Sequence, residues 1–208
     1  DVYFRTALYP WPNQKDIKIL GSEAAGTVTE IGAGVKHLKV GDRVVYVVPV
    51  GAYAEYVSVH SMHVAKIPDP VSFDTAAASL LKGITAYYLL HDTFSLKSGQ
   101  TALVHAAAGG VGQLLGQWGS EIGAIMIGTA GGKDKCKTAS AAKYDHVIDY
   151  NVQDFVAEVM RITDNQKVHV AYDSVAKSVF PGTMDCIKAR GLWVVLGKLQ
   201  DRLQILIL

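Results

Sequence analysis

A repeated alternation of short apolar segments with helical segments constrains the fold of this 208-residue chain more than any other feature. The predicted strands are 101–106, 124–129, 146–150, 168–174 and 191–197. The predicted helices between them are 110–122, 133–142, 152–162 and 178–189. Strands that alternate with helices form βαβ units, in which the strands run parallel and helices cover the sheet. The sequence therefore predicts a doubly wound parallel sheet of the α/β class.

The N-terminal part of the chain has a different pattern, in which short alternating segments are separated by glycine-containing turns. The predicted strands here are 27–31, 44–48 and 53–59, and two helices are predicted at 75–81 and 84–92 with Gly83 between them. Short strands at this spacing are typical of a small β-rich unit. We therefore predict a β-rich domain over residues 1–82, the doubly wound domain over 83–200, and an atypical apolar tail at 201–208.

A glycine-rich turn follows the first strand of the doubly wound domain. Ala107, Gly109 and Gly112 stand at the three positions of the dinucleotide-binding pattern G-x-G-x-x-G, with alanine at the first. The middle glycine lets the backbone approach a pyrophosphate, and the last lets the helix pack close to the strand. The helix that follows offers unpaired N–H groups and a partial positive charge to the same anion. Because the turn lies between a strand and a helix, it predicts a dinucleotide site.

The end of the second strand indicates which dinucleotide is bound. An NAD site requires an acidic side chain at that point to hold the ribose 2′-hydroxyl, but no acid stands where this strand ends at Thr129. Asp134 comes only later, beyond the strand end. Lys133 or Lys135 can supply positive charge to a 2′-phosphate, and Tyr150 can donate a hydrogen bond. The pattern therefore favours NADP(H) over NAD(H).

Composition excludes several other classes of protein. Half of the residues are hydrophobic and the mean hydropathy is +0.19, which excludes disorder of the bulk. A net charge of +1 gives no basic surface for nucleic acid. No apolar run reaches the roughly 18 residues of a membrane span, and no signal-peptide pattern is visible. With only Cys136 and Cys186, we expect a reducing, cytoplasmic environment.

Several segments in fixed order resemble the quinone oxidoreductase, or zeta-crystallin-like, branch of the medium-chain dehydrogenase/reductases, especially its bacterial NADPH-dependent members. These segments are GSEAAG at 21–26, GDRV at 41–44, the stretch at 76–90, HAAAGGVG at 105–112 and YDSV at 172–175. The likeness runs from Asp1 to Gly197. It implies a GroES-like catalytic domain, here partial, followed by a Rossmann domain, with NADPH as the cofactor and a homodimer as the assembly of intact relatives.

The resemblance also assigns roles to individual positions. Thr85 would approach the nicotinamide end, and Tyr3 and Tyr9 would flank the substrate pocket, although simple packing at a domain edge is the alternative for both tyrosines. The pyrophosphate would be cradled by Ala108, Gly109, Gly110, Val111 and Gly112. The adenosine ribose and its 2′-phosphate would be held by Thr129, Gly131, Lys135 and Tyr150. The cofactor groove would be lined by Ser174 and Gly197.

The chain departs from the family pattern in length and in its tail. Relatives are expected to be about half as long again, and residues 198–208 match none of the segments that follow the Gly197 position in the family. We therefore expect a truncated or frame-shifted member. Such a chain would bind NADPH weakly and tend to self-associate.

No metal site is expected. Zinc-dependent relatives carry histidine where this chain has Ser22, and neither cysteine lies in the first domain. Glu23 lacks partner ligands in the sequence. His60 and His63 are the only close histidine pair, and on a strand residues three apart would point to opposite faces. The expected function is zinc-independent hydride transfer from NADPH to quinones or other conjugated carbonyl compounds. Reduction of 2-alkenals or enones is an alternative, and a catalytically impaired NADP(H)-binding fragment is another.

Overall fold

The chain folds into two compact units. The computed structural model describes residues 1–11 and 18–197, and it divides the chain into Asp1–Ile84 and Thr85–Leu208. We call these the β-rich unit and the parallel-sheet unit. The atypical tail predicted at 201–208 lies outside the described residues. None of the helices in the described ranges is long and apolar enough to cross a lipid bilayer.

The β-rich unit contains a three-stranded antiparallel sheet in the order β1-β2-β3. Its strands are β1 (Glu23–Thr27), β2 (Arg43–Val47) and β3 (Val64–Lys66). A short helix, α1 (Val2–Arg5), precedes the sheet, and a 3₁₀ turn (Ser61–His63) leads into β3. Its buried cluster is small and consists of Val45, Ile67 and Ala76 with a few half-buried neighbours, and Val44 and Tyr46 of β2 are buried as well.

Two predicted strands of this unit are wrong in place. The first strand ends at Thr27, where the sequence predicts it to begin. Residues 53–59 form no strand, and the side chains of Tyr53 and Tyr56 are 67% and 79% exposed. Both edges of β2 are occupied, by β1 and β3, so residues 53–59 cannot pair with this central strand. An alternating pattern forms a strand only where a neighbouring strand accepts its hydrogen bonds.

The helix that follows is a single one. α2 (Phe73–Tyr88) passes through Gly83 without interruption and ends in a π-helical turn, Leu89–Thr93. The sequence predicts two helices separated by this glycine. Glycine in a helix interior is unfavourable by only about 1 kcal/mol relative to alanine, so the packing of Ala86 and Leu90 in the core outweighs it.

The parallel-sheet unit confirms the predicted doubly wound fold. Five parallel strands lie in the order β6-β5-β4-β7-β8. The strands are β4 (Thr101–Val104), β5 (Ile125–Ala130), β6 (His146–Asp149), β7 (Val168–Asp173) and β8 (Ile187–Val195). The helices are α3 (Gly110–Ile122), α4 (Lys133–Ala141), α5 (Phe155–Ile162) and α6 (Phe180–Cys186). The predicted α6 was longer, but it ends where Ile187 pairs with Val168 and starts β8.

The strand order places a binding crevice at one edge of this sheet. From the central strand β4 the chain winds to β5 and β6 on one side, and later to β7 and β8 on the other. Loops that leave β4 and β7 therefore diverge at the carboxyl ends of these strands. Ligands of doubly wound sheets bind at this switch point.

Glycines on one face of α3 bring the helix close to the sheet. A Cβ on Gly112 would meet the carbonyl oxygen of Ala107 at 2.8 Å, and one on Gly116 would overlap the ring of Tyr144. A Cβ on Gly119 would overlap the side chain of Met126. The N-terminus of α3 is thereby held against the strand ends.

Candidate functional site

The turn between β4 and α3 has a strained backbone at its first residue. Ala106 adopts a φ of 55°, a left-handed conformation that is unfavourable for alanine. The turn is closed by the amide of Gly109, which donates to the carbonyl oxygen of Ala106 at 2.9 Å. The amide of Ala107 donates to the carbonyl oxygen of Thr129 in the neighbouring strand at 3.0 Å. Because both bonds fix the turn, the strain of Ala106 is maintained at the crevice.

Two glycines are required by the close packing of this turn. A Cβ on Gly109 would lie 3.1 Å from the carbonyl oxygen of Ala106, which is tighter than normal packing allows, and Gly112 has no room for one. α3 begins at Gly110, and its N-cap residue Gly109 has no side chain to cap it. The first amides of a helix lack partners inside the helix, so they face the crevice with a partial positive charge. The turn can therefore hold an anion with backbone groups.

Two side chains brace the turn from behind. The hydroxyl of Tyr144, on the loop before β6, donates to the carbonyl oxygen of Gly112 at 2.6 Å. Burial raises the pKa of this phenol far above its ordinary value, so the hydroxyl stays protonated and donates. The amide nitrogen Nε2 of Gln113 donates to the carbonyl oxygen of Ala108 at 2.9 Å. These bonds hold carbonyl oxygens away from an incoming anion.

Two pockets meet at the turn, and both include Ala106 and Gly109 in their walls. The first, which we call the Lys135 pocket, has a volume of about 220 Å³. It is lined by Ala106, Ala108, Gly109, Ala130, Gly131, Lys135 and Tyr150. The hydroxyl of Tyr150 lies directly over Gly131, where an added Cβ would come within 2.6 Å of it. This pocket presents one cation and one phenol, and no carboxylate lines it.

The second pocket, the Ser174 pocket, has a volume of about 210 Å³ and lies toward β7. It is lined by Val104, His105, Ala106, Gly109, Gly110, Val111, Gly112, Leu115, Tyr172, Ser174 and Leu196. Most of these side chains are apolar. Two pockets that share the phosphate-binding turn match the shape of a dinucleotide, with one nucleoside on each side of the pyrophosphate.

A buried hydrogen-bonded chain lies under the turn. The hydroxyl of Thr183 donates to the carbonyl oxygen of Val179 at 2.8 Å, so it accepts from Nε2 of His105 at 2.9 Å. Burial lowers the pKa of His105, with a smaller opposing effect of Asp173, and the ring is neutral near pH 7. Nδ1 of His105 therefore accepts from the hydroxyl of Thr129 at 3.0 Å. His105 is thus a hydrogen-bonded core histidine.

The side chain of Thr129 is part of this buried hydrogen-bonded series. Its side chain is buried and its hydroxyl is directed at His105, and it is not among the residues that line the Lys135 pocket. Successive side chains of β5 point to opposite faces of the sheet, and that of Thr129 points to the face on which the His105 ring lies. The hydroxyl is thus engaged with His105, and a role of Thr129 in holding the ribose and its 2′-phosphate, as the resemblance implied, stays a prediction. Thr129 supports the turn through its carbonyl oxygen and through His105.

The loop after β7 is organised by a buried carboxylate. Oδ1 of Asp173 accepts from the amides of Val175 and Ala176 at 2.8 Å each, and Oδ2 accepts from Nε1 of Trp193 at 3.0 Å. Asp173 is fully buried. These bonds hold Ser174 at the wall of its pocket, so Asp173 caps the turn that follows β7.

The remaining predicted residues lie elsewhere. Thr85 lies in α2, next to the buried Ala86, and Gly197 is the last residue of the described range. Neither lines one of the two pockets. Sequence reasoning missed Ala106, which belongs to both pockets, because an alanine gives no sign of a left-handed backbone.

Tyr3 and Tyr9 lie together in the β-rich unit. Their ring centroids are 5.1 Å apart in an edge-to-face arrangement, and the amide of Tyr9 donates to the carbonyl oxygen of Tyr3 at 3.0 Å. Phe4 packs against Tyr9 at 5.6 Å. The segment is tied to the rest of its unit by the carboxylate of Asp1, which accepts from the amide of Gly21 and the hydroxyl of Tyr53.

Residues 1–11 and 18–197 contain no cluster of three or more metal-ligating side chains. The hydroxyl of Ser22 donates to the carbonyl oxygen of Pro49, and the carboxylate of Glu23 accepts from the amide of Leu81 at 2.8 Å. His60 and His63 do not lie on a strand, contrary to what the sequence suggested. His60 is the N-cap of the 3₁₀ turn and His63 is its last residue, their rings are 6.2 Å apart, and Nδ1 of His60 accepts from the amide of Met62.

A β-rich unit followed by a doubly wound parallel sheet, with a glycine turn at its switch point, defines a two-unit protein of the dinucleotide-binding class. Residues 1–69 match the alcohol dehydrogenase GroES-like domain, and residues 110–207 match the zinc-binding dehydrogenase family. The chain belongs to the medium-chain dehydrogenase/reductase superfamily.

Several characterised proteins are similar over most of the chain. Quinone oxidoreductase 1 of Escherichia coli K12 is 44% identical over 198 residues, which are 95% of this chain and 60% of that protein. A 2-haloacrylate reductase of Burkholderia sp. is 37% identical over 201 residues, with the same two shares. The crystal structure of Escherichia coli quinone oxidoreductase complexed with NADPH matches with a TM-score of 0.87 and 42% identity, over 95% of this chain and 63% of that one. The chain thus spans about 60% of the length of the curated relatives that it matches.

Proposed function

We propose that the chain is an NADPH-dependent, zinc-independent oxidoreductase that transfers a hydride to quinones. The observation that carries the proposal is the pair of pockets that share Ala106 and Gly109 on a phosphate-binding turn. This arrangement suits a pyrophosphate with a nucleoside on either side. Quinone oxidoreductases are among the chain's most similar relatives, and one of them is described in complex with NADPH.

The Lys135 pocket fits the adenosine end of NADPH. A 2′-phosphate needs a cation and hydrogen-bond donors, and Lys135 and Tyr150 supply them without a carboxylate in the wall. Gly131 leaves room for the phenol of Tyr150. The backbone from Ala108 to Gly112 would hold the pyrophosphate, and Ser174 would face the nicotinamide side. We keep Thr85 and Gly197 as residues of the cofactor groove in this proposal.

When bound, NADPH supplies the hydride that reduces the acceptor. The chain's own residues bind, orient and polarise. Tyr3 and Tyr9 are proposed to orient the quinone and to donate hydrogen bonds to the oxygen on which negative charge develops. In this proposal the hydroxyl of Ser22 and the carboxylate of Glu23 keep their hydrogen bonds to the backbone, and the acceptor would be polarised by side chains without zinc.

Reduction of 2-alkenals or enones is a second candidate. It is favoured by the 2-haloacrylate reductase of Burkholderia sp., whose name describes a compound with a conjugated double bond. The same bound cofactor serves both reactions, so the two differ only in the acceptor. A cytoplasmic location is part of the proposal, in keeping with two unpaired cysteines, and so is a homodimer.

The proposal is tested with the chain itself. We expect NADPH oxidation that depends on a quinone, no loss of this activity after dialysis against a chelator, and weaker turnover with NADH. The Lys135→Ala variant should bind NADPH about ten- to a hundredfold more weakly, because one charge-assisted contact to a phosphate is lost. Its affinity for NADH should not change.

Lys137→Ala is the matched control, because Lys137 lies on the same exposed part of α4 and does not line the pocket. It should bind NADPH like the parent. Equal affinities of the parent for NADPH and NADH would contradict the cofactor assignment. NADPH binding without turnover on any acceptor would support a catalytically impaired fragment instead.

A further inference from the structure

Asp149 connects the two loops that carry the Lys135 pocket. It is the last residue of β6 and immediately precedes Tyr150. Its Oδ1 accepts from the amide of Gly132 at 2.9 Å and from the amide of Asn151 at 3.1 Å. One oxygen atom thus joins the loop after β5 to the loop after β6. Neither the sequence motif nor the lining of the pocket points to this residue.

The bond to Gly132 fixes the start of α4. Gly132 is the N-cap of this helix, and its φ of 87° is a conformation that glycine adopts readily. Its carbonyl oxygen accepts from the amide of Cys136 at 3.0 Å, which closes the first turn of the helix. Lys135 belongs to that turn. Its position therefore depends on the position of Gly132, and through Gly132 on Asp149.

The same residue also fixes the opposite wall. The amide of Tyr150 donates to the carbonyl oxygen of Ala130 at 3.1 Å, and the amide of Asp149 donates to Oε1 of Gln153 at 3.0 Å. With Asn151 held by Oδ1, the backbone on both sides of Tyr150 is bonded. One acceptor thus contributes to the positions of both the phenol and the cation.

The charge of Asp149 opposes a phosphate, whereas its acceptor atom helps to bind one. Both hydrogen bonds use Oδ1, and Asp149 forms no ion pair within residues 1–11 and 18–197. An asparagine can place its Oδ1 at the same point and keep both bonds while it removes the charge. The two contributions of this residue are therefore separable by substitution.

We propose that Asp149 is a positioning residue that orders the 2′-phosphate pocket through its Oδ1 acceptor and not through its charge. This inference rests on the proposed function, because it concerns the same NADPH site. It predicts that the preference for a 2′-phosphate depends on an acceptor at position 149. The preference does not require a carboxylate there.

The test uses two ligands that differ only in the group of interest, adenosine 2′,5′-bisphosphate and 5′-AMP, titrated by calorimetry into the chain and its variants at one salt concentration. The Asp149→Asn variant should prefer the bisphosphate at least as strongly as the parent does. The Asp149→Ala variant should bind the bisphosphate about tenfold more weakly than Asp149→Asn, because two amides lose their acceptor. Its affinity for 5′-AMP should fall by about twofold or less, since that ligand makes no 2′-phosphate contact.

Asp145 provides a matched control at the other end of β6. Its Oδ2 accepts from the amide of Met126 at 2.7 Å, so Asp145→Ala also removes an acceptor that joins β5 to the chain before β6. The melting temperatures of Asp145→Ala and Asp149→Ala should fall by similar amounts. Only Asp149→Ala should lose the preference for the bisphosphate over 5′-AMP. A loss of preference in Asp145→Ala would mean that general loosening is responsible and would overturn the inference.

Two further results would overturn it. One is an Asp149→Asn variant that loses the preference as fully as Asp149→Ala, and the other is an Asp149→Ala variant that keeps it. A parent chain that binds both ligands equally would instead contradict the proposed function, and the inference with it. The two failures are therefore distinguished by the parent alone.

Discussion

The two units of the chain differ in how deeply their residues are buried. The parallel-sheet unit has a continuous core on both faces of its sheet, with central residues such as Leu103 and Ile127 at 0% exposure. The buried cluster of the β-rich unit contains three residues, of which Val45 is 6% exposed. The difference teaches that the pockets are built where the backbone is best supported. A strained turn such as that at Ala106 persists only where surrounding packing fixes it.

The largest expected effect tests the depth of the two cores. Leu103→Ala should lower the free energy of unfolding of the parallel-sheet unit by about 3 to 4 kcal/mol, because a fully buried leucine leaves a cavity in the central strand. Val45→Ala should lower that of the β-rich unit by about 1 to 2 kcal/mol, since two methyl groups are lost from a shallow core. Hydrogen exchange followed by mass spectrometry reports each unit separately. Equal losses in both units would contradict the comparison.

A second prediction compares glycines in the two units. Gly112→Ala should weaken NADPH binding about tenfold or more, because the new methyl group would collide with the carbonyl oxygen of Ala107 and overpacking costs about 1 to 3 kcal/mol. Gly26 in β1 has no atom within 4 Å of an added Cβ, so Gly26→Ala is the matched control. Fluorescence titration of NADPH measures both. Unchanged binding in the Gly112 variant would show that the turn does not contact the cofactor.

The smallest expected effect separates the units by pH. Burial lowers the pKa of His105 below its ordinary value of 6.5, so below about pH 6.5 the unfolded chain takes up a proton that the folded chain does not. Stability of the parallel-sheet unit should therefore fall as the pH drops from 6.5 toward the lower folded pKa, by at most about 1.4 kcal/mol per pH unit. The variant His105→Gln should flatten this dependence. Denaturant unfolding at a series of pH values measures it.

The β-rich unit should respond only at lower pH. Lys66 lies 2.8 Å from Asp42 and holds the pKa of that carboxyl below its ordinary value of 3.8. The contribution of this pair is present above pH 3.8 and is lost as the pH falls through the lower folded pKa. Added salt should weaken it, because the lysine is exposed. A transition of the β-rich unit near pH 6 would contradict this assignment.

The sequence predicts the parallel-sheet unit well because its signals are local. Each strand and helix has its own periodicity, and the turn from Ala106 to Gly112 is contiguous in the chain. The β-rich unit is predicted less well, because pairing decides which alternating segment becomes a strand. Residues 64–66 pair with β2 and residues 53–59 do not, although the latter have the longer alternating pattern.

The candidate site shows the same limit. Lys135 and Tyr150 follow strand ends, so their proximity could be predicted from a parallel sheet. The direction of the Thr129 hydroxyl could not be predicted. It depends on hydrogen bonds that run through its partner His105 to Thr183, and these two residues are 78 positions apart. Asp149 stands beside Tyr150 in the sequence, but its bond to Gly132 depends on how the loops after β5 and β6 are placed relative to each other. Local sequence patterns carry no information about that placement.

The glycine face of α3 has a consequence for how this chain can change over evolutionary time. A Cβ added to Gly112, Gly116 or Gly119 would overlap atoms of Ala107, Tyr144 or Met126, respectively. At Gly112 and Gly116 the added Cβ would also meet backbone carbonyl oxygens, so no smaller side chain nearby makes room for it. At Gly119 the atoms in the way belong to the side chain of Met126 alone, so a smaller residue at position 126 would make room. Positions 119 and 126 are therefore expected to drift as a pair, and deep mutational scanning should find glycine retained at 112 and 116 whatever the neighbouring side chains are.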